Sequence, residues 1–355
     1  MKNSIKIAVL AACAMVVVSC SKEKAVNENV LIPETLEIAK IMVEDTVENK
    51  RSIVFITGYD KGSNTFYKDA KDYFLDLNVE IIETAYSIQE IILWMNINYN
   101  DMPYADIHIV NDNKWKELSF ETTVKGPKIS SLTIHESLGD GLLPKLNNVL
   151  DIKARFIFHA ANLGTNIALL DGFKQAFTAD VEPTIVASEM QSVFGGEFTS
   201  HYLAKPYYAF YPTANSPGRV DLAKQFIASY PETNIDWLSV MNNQEERYQG
   251  DIYSYKFNIP VYWEFEYLND EDVPSFKNLN ELRAWMLDND KIASDLEQMG
   301  IPIERFRLYE KVKGSKLIIK GKVTGVCVLE PVMSNAYPSE YIIPNIDNLR
   351  LYDTL

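Results

Sequence analysis

Five short apolar runs, separated by helical patterns, constrain the fold of this chain more than any other feature. Amphipathic patterns predict helices over residues 64–77, 87–98 and 166–178, and Ser87 with Glu90 forms a capping signal at the second. Strands that alternate with helices in this way predict βαβ units, and hence an α/β fold with a mostly parallel sheet flanked by helices. The runs are RSIVFITGYD (51–60), VEIIET (79–84), ADIHIV (105–110), RFIFHA (155–160) and PTIVAS (183–188).

The pattern changes after about residue 200. We predict an α/β domain over residues 34–215 and a smaller α+β region over residues 216–355. The second region has one amphipathic helix, a longer helical stretch and two strand-like stretches, one of which has alternating aromatic residues. The further predicted elements are helices at 34–48, 217–229 and 278–298, a β excursion at 116–130, a partly helical stretch at 131–150, and strands at 251–268 and 315–332.

The amino terminus predicts export and a lipid anchor. Lys2 and Lys6 precede an apolar stretch at residues 7–18, which is too short to form a stable transmembrane helix. The following Val17-Val18-Ser19-Cys20 resembles a bacterial lipobox, which implies cleavage after Ser19 and acylation of Cys20 by chains such as palmitate. We therefore expect a signal peptide at 1–19 and a polar tether at 20–33. An ordinary secretory signal with a coincidental Cys20 is the alternative.

Charge and cysteine content limit the possible binding partners and the possible cellular location of the protein. The chain has 34 basic and 49 acidic residues. This excess of acid argues against nucleic acid as a partner. Outside the signal peptide and Cys20 the only cysteine is Cys327, in an alternating stretch that predicts a buried strand, so no intramolecular disulfide is expected. We expect a protein of the bacterial cell envelope, anchored in a membrane and facing the periplasm or the cell surface.

Polar residues at the strand ends mark the expected site, because ligands of open α/β sheets bind at the carboxyl ends of the strands. The chain offers no zinc-binding helix motif, calcium loop, phosphate loop or serine-hydrolase elbow, so we expect neither a metal nor a cofactor. The candidates for lining the cleft are Asp112, Asn113, Trp115, His159, Asn162 and Glu189.

Two of these strand ends, DIHIVNDNKW (106–115) and RFIFHAANLGTN (155–166), carry a family resemblance. The order of elements over about residues 50–215 resembles the caspase-like cysteine peptidases, which include gingipains, clostripain and legumain. That family places His-Gly after one strand and a small residue, Cys, two variable residues and Gly after the next. Here Asn111-Asp112 takes the first place, and Ala160-Ala161-Asn162-Leu163-Gly164 takes the second.

The resemblance implies a caspase-like fold whose catalytic His and Cys are replaced by Asn111 and Ala161. An amide has no useful pKa for proton transfer, and alanine has no nucleophile. The first hypothesis is therefore a lipid-anchored, catalytically inactive peptidase-like protein that binds a peptide or protein partner. Two alternatives stay open. One is a hydrolase that uses His159 with Glu189 or Asp112, and the other is a surface or periplasmic ligand-binding lipoprotein.

Overall fold

The apolar runs come together in one six-stranded sheet. The computed structural model describes residues 51–58, 65–112, 118–210 and 218–355, which belong to one compact unit. The strands lie in the order β2-β1-β3-β4-β5-β11, all parallel except β11, which confirms the predicted mostly parallel sheet. Their bounds are β1 (Arg51–Thr57), β2 (Glu80–Ile82), β3 (Tyr104–Asn111), β4 (Leu150–His159), β5 (Thr184–Ala187) and β11 (Asp353–Thr354).

Helices cover both faces of this sheet, because alternate strand residues point to opposite faces. On one face Ile107, Ile109 and Phe158 pack in the largest core cluster. On the other face Val54 and Val110 pack in a separate cluster with Phe74. The helices α2 (Ile88–Ile97), α3 (Ser131–Gly139) and α4 (Ile167–Phe177) contribute to the first cluster, and α1 (Thr65–Asp76) contributes to the second.

The predicted cap of α2 is confirmed. The Ser87 hydroxyl accepts the backbone N–H of Glu90, and the Glu90 carboxylate accepts the backbone N–H of Tyr86 at 2.8 Å. These two bonds satisfy N–H groups at the start of the helix that have no intrahelical partner.

A second, antiparallel sheet follows in the chain. Its long strand β10 pairs with β8 along one side, and with β7 and β9 along the other. This arrangement confirms a mixed second half, and Cys327 of β10 is buried as predicted, which raises the pKa of its thiol to about 12. The strands are β6 (Gln191–Phe194), β7 (His201–Phe210), β8 (Tyr253–Glu266), β9 (Arg307–Lys313) and β10 (Lys316–Pro331).

Two pairs of helices pack on opposite faces of the second sheet. Leu282 and Ile292 belong to a core cluster with Ile319 of β10. Leu222 and Trp237 pack against Val326 and its neighbours on the other face. The first pair is α7 (Leu279–Asp288) and α8 (Asp290–Met299), and the second is α5 (Arg219–Ser229) and α6 (Trp237–Val240).

Each of the two sheets contains strands from both sides of residue 215. Strand β7 precedes this residue and pairs with β10, which follows it, while β11 returns from the carboxyl terminus to the first sheet. The domain boundary that we predict at residue 215 stays a prediction. None of the described helices is long and apolar enough to span a bilayer. The signal peptide, the tether with Cys20 and the predicted helix at 34–48 lie outside the described residues.

The partly helical stretch predicted at 131–150 is confirmed, because its helix ends at Gly139 and β4 begins at Leu150. Two other sequence predictions differ from the structure. The described part of 116–130 has isolated bridges at Glu121 in place of a strand. The predicted helix at 278–298 is two helices, because the Asn289 side chain accepts the backbone N–H of Ile292 and starts a new helix.

Candidate functional site

Strands β3 and β4 are neighbours, so their carboxyl ends meet at one edge of the first sheet. The register pairs Ile109 with Phe158 and Val110 with His159. Asn111 ends β3 at this edge, and Ala161 follows the end of β4 by two residues. Adjacent strand ends of this kind are what a nucleophile and a base need in order to meet.

Asn111 is fully buried and acts as a clamp between three segments. Its side-chain amide donates to the Thr57 carbonyl at 3.1 Å and to the Thr57 hydroxyl at 2.9 Å. Its side-chain oxygen accepts the backbone N–H of Ser119 at 2.8 Å. The amide therefore ties the end of β1 and the segment after residue 118 to the end of β3. Both the nitrogen and the oxygen of the Asn111 amide thus hold the fold together.

Tyr67 of α1 extends this network. Its hydroxyl accepts the backbone N–H of Asp112 at 3.0 Å and lies 3.2 Å from the Ser119 hydroxyl. The first residue after β3 is therefore fixed to the helix that covers the sheet. Asp112 itself is partly buried at this strand end.

The turn after β4 is packed onto the segment that follows β5. Ala161 is only 1% exposed, and Asn162 adopts a left-handed conformation with φ 55°. The backbone N–H of Asn162 donates to the Met190 carbonyl at 3.2 Å, and that of Gly164 donates to the Ser188 carbonyl at 2.9 Å. The main chain of this turn is thus held by the neighbouring turn.

Gly164 is required by close packing. A Cβ atom at this position would lie 2.8 Å from the backbone nitrogen of Glu189 and 2.9 Å from the carbonyl carbon of Ser188. Any larger residue would push the two turns apart. The glycine of the family-like pattern therefore has a packing role in this chain.

His159 points away from Asn111, into a buried cluster of three histidines. Its Nε2 lies 3.0 Å from Nδ1 of His108, and the two rings stack at 5.2 Å between centroids. The His201 ring approaches His159 edge-on at 5.6 Å. Phe74 and Phe194 contact the cluster, with the Phe194 ring stacked on His201 at 4.4 Å.

Burial keeps these histidines neutral. It lowers the pKa of His108 to about 4 and that of His201 to about 3. The pKa of His159 lies well below its usual value, first because of burial and then because of the two neighbouring histidines. The Nδ1 atom of His159 has no hydrogen-bond partner among the described residues. At neutral pH the cluster is thus an uncharged part of the core.

The remaining candidates lie apart from this cluster. Glu189 is exposed on the turn between β5 and β6, and Asn162 is partly buried. Asn113 and Trp115 lie outside the described residues. Among the described residues, no group of three or more His, Cys, Asp or Glu side chains has the arrangement to hold a metal ion.

A shallow pocket lies elsewhere, between α5 and α6. It encloses about 220 Å³, and its lining is mainly apolar. Ile227 and Leu238 at its border are 56% and 47% exposed, while Trp237 is buried beneath it. The apolar part of its lining comes from Ile227, Tyr230, Pro231, Ile235, Trp237 and Leu238.

No protein-family model matches the chain, and no curated protein matches it.

The sequence did not identify the partners of Asn111, or His201 as a member of the histidine cluster. Thr57, Tyr67 and Ser119 carry no local signal, because their contacts join distant segments. His201 is the first residue of β7 and is buried, so its place depends on a strand far from β3 and β4 in the chain. His108 lies on the opposite face of β3 from Ile107 and Ile109, because alternate residues of a strand point to opposite faces.

Proposed function

We propose that this protein is a membrane-anchored lipoprotein with a caspase-like, catalytically inactive domain that binds a peptide or protein partner. One observation carries the proposal. The two strand ends that would supply a base and a nucleophile are adjacent, and they hold Asn111, which is bonded on both sides, and the buried Ala161. Neither side chain can transfer a proton or attack a carbonyl.

The geometry favours this reading over a hydrolase built on His159. A general base needs access to its substrate and a pKa near the working pH. His159 is 4% exposed, its Nε2 faces His108, and burial lowers its pKa well below the usual value. Glu189 is exposed on a turn and makes no hydrogen bond to His159.

Adjacency of the two positions can be tested with a designed thiol. In the full chain with Ala161→Cys, a histidine at the neighbouring strand end should lower the pKa of the new thiol. We expect Asn111→His with Ala161→Cys to be alkylated by iodoacetamide at pH 6.5 at least tenfold faster than Ala161→Cys alone. Opening of the strand ends by Asn111→His could also raise the rate, so the control must carry the same change. Asn111→His with Ala160→Cys is the matched control, and Cys327 supplies the background rate.

Equal alkylation rates in the single and double variants would mean that residues 111 and 161 do not form a dyad site. The interpretation as a caspase-like fold would then be wrong. Peptide hydrolysis by the unmodified chain that disappears with His159→Asn would instead support the hydrolase alternative. Neither result bears on the lipid anchor, which needs a test of its own.

The anchor rests on the residues before Cys20. Cells fed an alkyne analogue of palmitate should label the protein through Cys20. Cys20→Ala should remove the label, and Cys13→Ala, in the apolar stretch of the signal, should keep it. Label that survives Cys20→Ala would refute acylation at this residue.

The apolar pocket between α5 and α6 supports the partner-binding part of the proposal. Exposed apolar side chains around a concavity are typical of a surface that receives an apolar side chain of a partner. Ile227 and Leu238 supply such exposure here. A ligand-binding lipoprotein that is unrelated to peptidases would use the same pocket. The thiol test distinguishes such a protein from an inactive peptidase-like one.

A further inference from the structure

One half of a face of the second sheet is basic, although the chain as a whole carries a net charge of −15. Cross-strand pairs place side chains of β8, β10 and β9 in rows on this face. The rows include Tyr262 with Lys320 and Tyr309, and Glu264 with Ile318 and Lys311. We call this surface the basic face. Its cations are Arg307, Lys311, Lys313, Lys316, Lys320 and Lys322.

The basic face continues a surface that is covered at its other end. Residues of β10 with even numbers point to this side, and α5 and α6 pack on Val326 and Val328. From Thr324 back to Lys316 the same side carries the lysine rows. Tyr309 and Tyr262 remain 59% and 54% exposed there. This half of the face is therefore accessible.

The positive charge on the basic face is largely unpaired. Glu264 and Glu266 both lie close to Lys316, at 2.9 and 3.7 Å. Lys320 lies over the Tyr262 ring at 5.2 Å. Among the described residues, four of the lysines form no ion pair, namely Lys311, Lys313, Lys320 and Lys322. A cluster of unpaired lysines attracts a surface over which negative charge is spread.

We propose that the basic face docks on a bilayer that contains anionic lipids. The face is formed by paired strands of one sheet whose cations point to the same side, which suits a plane of headgroups. Five of its six cations are lysines, which act as mobile point charges, whereas bidentate recognition of one phosphate is typical of arginine. Exposed tyrosines favour the membrane–water interface.

The acidic remainder of the protein does not prevent this contact. At physiological ionic strength charges are screened beyond about 8 Å, so the face acts locally despite the net negative charge of the chain. The chain would then lie on the bilayer in one orientation. This inference does not depend on acylation of Cys20, because it concerns a contact made by the folded domain.

The test compares full chains that differ only in three lysines. The face variant carries Lys313→Gln, Lys320→Gln and Lys322→Gln. The matched control carries the same change at exposed lysines elsewhere, Lys145, Lys153 and Lys291. Both keep the same amino terminus, so binding through an acyl chain or an apolar leader is equal in the two. Cosedimentation is measured with phosphatidylcholine vesicles and with vesicles that also contain phosphatidylglycerol.

We expect the original chain and the control to bind anionic vesicles more tightly than neutral ones, with a preference that falls as salt rises. Each lysine near a charged surface changes affinity by roughly fivefold, so the face variant should lose roughly a hundredfold of this preference. Lysine acetylation should also be slowed at Lys320 by anionic vesicles only.

Three results would overturn the proposal. One is an equal preference for anionic vesicles in the face variant and the control. Another is no preference in the original chain together with retention on immobilised polyglutamate that the face variant loses, which would assign the surface to an acidic polypeptide. The third is an original chain that binds neither, which would mean that the lysines only keep the sheet edge from self-association.

Discussion

Acidification below pH 6.5 should destabilise this protein through the buried cluster of His108, His159 and His201. Burial is the main reason that all three folded-state pKa values lie below the value of about 6.5 expected in an unfolded chain. The unfolded chain therefore binds more protons than the folded protein. The stability is fully present above pH 6.5, decreases as the pH falls, and stops changing below the folded pKa of each group.

The size of the effect follows from the width of that window. Between pH 6.5 and its folded pKa, each histidine changes the free energy of unfolding by about 1.4 kcal/mol per pH unit. At pH 5 this amounts to about 2 kcal/mol for His201, whose folded pKa is about 3. His108 contributes about the same, because its folded pKa of about 4 also lies below pH 5. These two histidines together give about 4 kcal/mol, a large part of the whole stability of many domains, and His159 acts in the same direction.

The assay is urea unfolding of the full chain at pH 8, 7, 6 and 5, followed by circular dichroism. The slope of the unfolding free energy against pH counts the protons taken up. His201→Phe removes one titrating ring and keeps an aromatic partner for Phe194, so its slope below pH 6.5 should be smaller by about one proton. His135 is exposed on α3. His135→Gln is therefore the matched control and should leave the slope unchanged.

The reasoning fails if His201→Phe and the original chain have the same slope between pH 6.5 and pH 5. It also fails if His135→Gln lowers the slope as much as His201→Phe does. Either outcome would place the proton uptake in groups other than the cluster.

The remaining predictions concern stability and the pocket. Asn111→Ala should lower the free energy of unfolding by about 2 to 4 kcal/mol, since it leaves buried polar partners unsatisfied; urea titration measures this. Gly164→Ala should cost about 1 to 3 kcal/mol through the clash with the neighbouring turn, whereas Gly139→Ala, with no atom near its added Cβ, should change the melting temperature little. Leu238→Asp should abolish the fluorescence response of the α5–α6 pocket to apolar peptides, while Leu268→Asp, on a residue 96% exposed elsewhere, should leave it intact.

Local signals in the sequence were sufficient for the elements of the first sheet. The strand and helix periods located β1, β3 and β5 and the helices between them, because each pattern is set within a few residues. The cap at Ser87 was likewise readable, since its partner lies three residues away. The rule that strand ends carry the polar groups also pointed to Asn111.

The contacts that decide the character of the site could not be read in this way. Strand β11 has two residues and is defined only by its pairing with β5, far away in the chain. The position of His201 depends on β7, a strand of the second sheet whose Leu203 packs against Ile157 and Val186 of the first. Whether Asn111 is a free polar group or a clamp depends on Thr57 and on a segment after β3.

Stability and chemistry compete at the end of β3. The Asn111 side chain donates twice to Thr57 and accepts from Ser119, whereas a neutral histidine has one donor and one acceptor nitrogen. Asn111→His must therefore leave at least one buried partner unsatisfied, at a cost of about 1 to 3 kcal/mol. A chain given a base at residue 111 would lose part of the clamp that joins β1 to β3. The thiol at residue 161 is consequently best measured well below the melting temperature of Asn111→His alone, where a slow alkylation reports the chemistry of the pair rather than opening of the strand ends.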